Sequence, residues 1–62
     1  MSEYRVYCFD HRGKISTSHE FLAADDSEAL ARTRAMKLET QCELWNRDRL
    51  IAKIPPARPR KA

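Results

Sequence analysis

Four side chains have the chemistry to ligate a metal or to serve as nucleophile and base: Cys8, His11, His19 and Cys42. Zinc sites draw ligands from closely spaced pairs that one turn or helix can pre-organise. Here the histidines are eight residues apart and the cysteines 34, and neither spacing builds a site. A catalytic thiol would need one of those histidines as base, plus donors for an oxyanion. It would also need a concave pocket, and a short chain with a single glycine has little loop from which to build one. The expectation is two reduced, buried cysteines acting as small hydrophobes, with no metal, no cofactor and no enzymatic activity.

A second group, Asp25, Asp26 and Glu28, has the look of paired carboxylates, but helix chemistry accounts for it. The stretch Ala24–Glu39, ADDSEALARTRAMKLE, reads as the only long helix. Asp25 is placed to cap it by accepting from first-turn N–H groups. Glu28, three residues on, completes a capping box, and all three acids sit where the helix dipole is positive. Arg32, Arg34 and Lys37 bias positive charge toward the other end, and no glycine or proline interrupts Asp26 to Gln41. Ala29, Leu30, Thr33 and Met36 share one side of the helix and are expected to face the sheet, with Ala31, Ala35 and Leu38 on a second stripe.

Basic residues raise the question of nucleic acid. The net charge is +3, yet residues 1–54 hold nine basic and nine acidic side chains. The whole excess is Arg58, Arg60 and Lys61, in a Pro- and Arg-rich tail over residues 55–62 that is expected to be disordered. A weak nucleic-acid contact through that tail, aided by aromatics stacking on bases, is the alternative function. The absence of a basic face on the folded part counts against it.

The elements that would carry these groups follow from period and punctuation. Residues 3–9 alternate as a strand, with Tyr4, Val6 and Cys8 on one face and Arg5, Tyr7 and Phe9 on the other. Asp10–Lys14 is a turn in which Gly13 can take positive φ. Ile15–Leu22 is a more polar strand, suited to a sheet edge, with Ile15, Thr17, His19 and Phe21 together on one face. After the helix, Cys42, Leu44 and Asn46 alternate with Glu43 and Trp45. A polar turn, Asn46–Arg49, then leads to a last strand that Pro55 and Pro56 stop.

The order ββαββ over residues 1–54 predicts one α+β domain: a four-stranded, largely antiparallel sheet with one helix packed on one face. A 62-residue chain buries only about 60% of its unfolded surface. Stability is then on the order of 3–5 kcal/mol unless subunits support each other. One helix covers one face, and the other is expected to present some of Tyr7, Phe9, Trp45 and Ile51, more apolar area than a monomer leaves wet; strand parity leaves open whether Trp45 stands there or under the helix. The function expected from this is a non-enzymatic protein-interaction or structural module, self-associating through the sheet as a homodimer. The N-terminal residues lack the pattern of a secretory signal, no apolar run approaches membrane-spanning length, and a cytoplasmic location is expected.

Several motifs coincide in this order: Tyr4-Arg5-Val6-Tyr7, the Asp10–Gly13 turn, Asp25-Asp26 through Ala29, Glu43-Leu44-Trp45, and Arg49-Leu50-Ile51. In these the chain, over about residues 4–54, resembles a group of short, uncharacterised bacterial proteins. The resemblance implies the ββαββ fold and brings no catalytic residue, cofactor or partner with it.

Overall fold

Alternation decides the central strand. β1 (Ser2–Phe9) buries every second side chain from Tyr4 to Cys8, while Arg5 stays exposed and Tyr7 and Phe9 are half-buried on the other face. The computed structural model of the protein describes residues 1–56, in which β1 is followed by β2 (Ile15–Ala23), α1 (Asp26–Ala35), β3 (Cys42–Asn46) and β4 (Arg49–Ile54). All pairings are antiparallel, in the spatial order β2-β1-β3-β4, and α1 lies across one face of this open α+β sheet. Of the tail expected to be disordered, residues 57–62, with Arg58, Arg60 and Lys61, lie outside the described residues.

The first hairpin turns on Asp10. Its Oδ1 accepts from the backbone N–H of Arg12 and Lys14, and its carbonyl accepts from Gly13, which takes φ of 84°. The ladder then pairs Phe9 with Ile15 and Cys8 with Thr17, which leaves Ser16 as a bulge residue whose hydroxyl donates to Cys8 O. The bulge separates Ile15 from Thr17, His19 and Phe21. It puts Ile15 beside Phe9 on the face away from the helix, and not on the same face as Phe21 as strict alternation would have it.

The helix begins as its composition dictates. Asp25 accepts from the Glu28 N–H at 2.8 Å, and the Glu28 carboxylate accepts from Ala24, one residue ahead of the cap. It ends earlier than its composition suggests. Met36 is the C-cap, and Lys37, at φ 52°, turns the chain out of the helix. Leu38 thereby folds back to pack on the core, while Met36, expected on the sheet side, is 37% exposed.

Ala29 and Thr33 are the buried contacts of α1, small enough to let its backbone approach the sheet. The Thr33 hydroxyl is satisfied by Ala29 O at 2.8 Å. Beneath them lie Tyr4, Val6, Cys8, Ala23, Cys42, Leu44 and Ile54. Phe21 stacks on Tyr4 with ring centroids 6.1 Å apart and receives the Arg32 guanidinium at 5.0 Å, which closes the β2 side of this core. Among the described residues no helix is long and apolar enough to cross a membrane.

Candidate interaction face

The face opposite the helix is set by register. Its side chains run in rows across β2, β1, β3 and β4. Glu20, Arg5, Trp45 and Leu50 form one row, and Ser18, Tyr7, Glu43 and Lys53 form the next, with Ile15 and Phe9 together beyond. Tyr7, Phe9 and Trp45, the expected aromatic members, are thus brought to one surface, each half-buried. Trp45 stands on the open face and not under the helix.

Ile51 is elsewhere. The β3–β4 ladder shifts between Leu44 and Trp45, pairing Trp45 with Leu50 and Leu44 with Ala52 and leaving Ile51 as the extra residue. Ile51 packs against the buried core, and Leu50, 40% exposed, takes the place beside Trp45. The bulge is what lets Ile51 and Ile54, three apart, both serve the core, which a regular strand would forbid. Leu22 and Ile15, 54% and 58% exposed, complete the apolar members of the open face. Alternation alone concealed Ile15 and Leu50, because both depend on bulges.

Polar groups are pinned among these rings. Arg5 forms an ion pair with Glu20 across the β1–β2 ladder, and its Nη1 donates to Tyr7 Oη at 3.2 Å. Those two partners hold the Arg5 guanidinium above its ordinary pKa, the hydrogen bond to Tyr7 first and the Glu20 charge second. Trp45 Nε1 donates to Glu43 Oε1 at 3.1 Å, and Glu43 stands opposite Lys53. Arg5, Glu20 and Glu43 are therefore held at fixed places beside the aromatics.

The remaining chemistry-bearing groups are spoken for or scattered. Cys8 and Cys42 face each other in the β1–β3 ladder, both buried, with Sγ atoms 2.8 Å apart. The next pair along, Phe9 N–H to Gln41 O, is hydrogen-bonded, so the cysteines occupy the non-hydrogen-bonded position where side chains come closest. Burial and the neighbouring Cys8 thiol push the Cys42 thiol up to about 12, which leaves it protonated and a poor nucleophile. His11 sits in the exposed turn, and His19 is exposed on β2. Among the described residues no three His, Cys, Asp or Glu side chains are grouped to hold a metal ion. His11 borders an open depression of about 550 Å³ with Phe9, Gln41 and Glu43, but the carboxylate next to it, Asp10, is committed to its own turn.

The acids at the helix start divide their work. Asp25 and Glu28 cap, whereas Asp26 reaches the sheet. Its Oδ1 accepts from Tyr4 Oη at 2.7 Å and its Oδ2 pairs with Arg49 at 3.3 Å. The Tyr4 hydrogen bond, then Arg49, lowers the Asp26 carboxyl pKa, and the same hydrogen bond is the main cause that raises the Tyr4 phenol. Three distant segments meet there, and no local pattern announces it. No family model, curated protein or solved structure is found to match the chain.

Proposed function

We propose that the protein is a non-enzymatic interaction module that self-associates as a homodimer through the sheet face opposite its helix. One observation carries this reading: the uncovered face collects Tyr7, Phe9, Trp45, Leu50, Ile15 and Leu22 on rigid strands. Such a surface, with a tryptophan at its middle, matches the composition of interface hot spots better than that of a solvated face. A small domain also gains from a partner the stability that its own core is too small to supply. Cytoplasmic residence belongs to the same reading, since a reducing compartment keeps the facing Cys8 and Cys42 as thiols.

The nucleic-acid alternative draws on the same aromatics. The open face carries Glu3, Glu20 and Glu43 against Arg5, Lys53 and the bordering Arg47, so it has no positive stripe to track a phosphate backbone. Sedimentation of the full chain tests the proposal. A dimer at tens of micromolar is expected, weakened at least tenfold by Trp45→Ala and unchanged by Arg34→Ala on the exposed helix surface. A monomer at all concentrations up to a few hundred micromolar would refute it.

A further inference from the structure

The apolar and charged members of the open face are not mixed at random. Phe9 and Ile15 share one row, Tyr7 lies in the next, and Trp45 and Leu50 in the one after, so these apolar side chains step diagonally from β2 to β4, while Leu22, opposite Glu3, stands apart beyond Glu20. On one flank of this stripe stand Arg5 and, farther out, Glu20. On the other stand Glu43 and, farther out, Lys53. Outward from the stripe the signs run plus then minus on the first flank and minus then plus on the second.

We infer that a second copy of the chain packs on this face about a two-fold axis lying along the Tyr7–Trp45 diagonal. The inference rests on the self-association proposed above and specifies its geometry. Rotation about that axis lays Tyr7 and Trp45 against their own copies, with Phe9 and Leu50 on the Glu43 side of the axis, and exchanges the flanks. Arg5 then meets Glu43 of the partner subunit, and Glu20 meets Lys53 of the partner subunit, twice over by symmetry.

Other axes in the plane of the face fail on the same map. An axis along the strands sets Arg5 against Trp45 and Glu20 against Leu50, burying charge on apolar groups. An axis across the strands sets Trp45 against Glu43 and Leu50 against Lys53. The opposite diagonal sets Arg5 against Arg5 and Glu43 against Glu43, like charges at the centre.

The chosen diagonal also satisfies sheet packing. With strands ~4.8 Å apart and ~3.4 Å per residue, the stripe runs at roughly 35–45° to the strands. Two copies then cross at roughly 70–90°, near the orthogonal class of face-to-face sheets. The bonds of Arg5 to Tyr7 and of Trp45 to Glu43 hold the charged groups beside the stripe before association, which lowers the ordering cost.

The test is a charge-swap mixture. Arg5→Glu and Glu43→Arg, each checked for wild-type circular dichroism, are sedimented alone and mixed one to one. Each alone places like charges across the axis and is expected to weaken the dimer about tenfold or more. The mixture pairs Glu with Arg at both contacts and is expected to give a heterodimer near wild-type affinity, seen in native mass spectra by the mass difference. Glu20→Lys mixed with Lys53→Glu repeats the test at the outer contacts if either first variant fails to fold. A wild-type monomer overturns this geometry together with the proposed self-association. A wild-type dimer whose variants give no preferred heterodimer at either contact pair overturns only the geometry and leaves self-association standing through another surface.

Discussion

The two faces of this sheet are built from the same four strands and solve opposite problems. On the helix side, Val6, Cys42 and Leu44 are fully buried, and the helix contributes small groups, Ala29 and Thr33, so that its backbone sits close. On the open side the large groups, Tyr7, Phe9 and Trp45, are only half-buried, and the polar ones are paired beside them. One face derives its energy from excluding water within the chain. The other leaves large rings half-exposed on its strands, with Arg5, Glu20 and Glu43 bonded beside them, and a second copy is proposed to cover it. The difference shows that the small residues of this chain serve its core while several of its largest apolar ones stay at the surface.

The sharpest way to break that comparison is to truncate one residue on each face. Leu44→Ala removes a fully buried side chain at the centre of the core and is expected to cost about 2–5 kcal/mol. In a domain of this size that approaches the whole stability, so the variant should be largely unfolded at 25 °C by circular dichroism. Its strand neighbour Trp45→Ala, measured at a dilution where the protein is monomeric, should keep a cooperative transition within a few degrees of wild type. Equal losses in the two variants would mean that the open face is part of the core and not an interface.

A smaller effect probes the tie that holds the helix on its face. Asp26 is lowered by its hydrogen bonds from Tyr4 and Arg49, so its contribution to stability is present above the unfolded carboxylate pKa and is lost as pH falls through the folded value. Tyr4 is raised, chiefly by the same hydrogen bond, so its contribution is present below the unfolded phenol pKa and is lost as pH rises through the folded value. The contact is then intact between about pH 4 and pH 10. Melting curves from pH 7 down to 2.5 are expected to fall more steeply for wild type than for Asp26→Asn, and the two should converge at the acid end. Parallel curves would remove Asp26 from the acid limb. The open face, with no contact to this tie, should leave monomer melting in Trp45→Ala as pH-dependent as in wild type.

The divide between the faces was partly legible in the residues alone. Alternation of Tyr4, Val6 and Cys8 placed β1 and its two sides, and Asp25 with Glu28 announced the start of α1 because a cap is written in side chains. What stayed hidden was written in backbone. The bulges at Ser16 and Ile51 move Ile15 to the open face and Ile51 to the core, and an apolar pattern of period two carries no mark of an inserted residue. The three-residue spacing of Ile51 and Ile54 is the one trace of it. Met36 is exposed and Leu38 returns to the core because the helix ends at a Lys37 of positive φ, with no glycine to mark the stop. The Tyr4–Asp26–Arg49 contact joins residues 22 and 23 positions apart, beyond any local motif.

The two residues with positive φ apart from glycine, Lys37 and Arg47, supply the gentlest test, because each turns the chain toward a different face. Lys37 at 52° ends the helix and returns Leu38 to the core. Arg47 at 60° closes the two-residue loop between β3 and β4 and sets Trp45 beside Leu50 on the open face. A side chain in this region costs about 1–2 kcal/mol against glycine, offset in part by the greater freedom of glycine in the unfolded chain. Lys37→Gly and Arg47→Gly are each expected to stabilise by about 0.5–1 kcal/mol, a few degrees in Tm, and their effects should add, since they act on separate turns. They should differ in association. Lys37→Gly works through the helix side and should leave the dimer constant alone, while Arg47→Gly removes a cation bordering Glu3, Arg5 and Tyr7 and is expected to shift it by severalfold. A matched shift in both variants would mean that the two faces are energetically one unit.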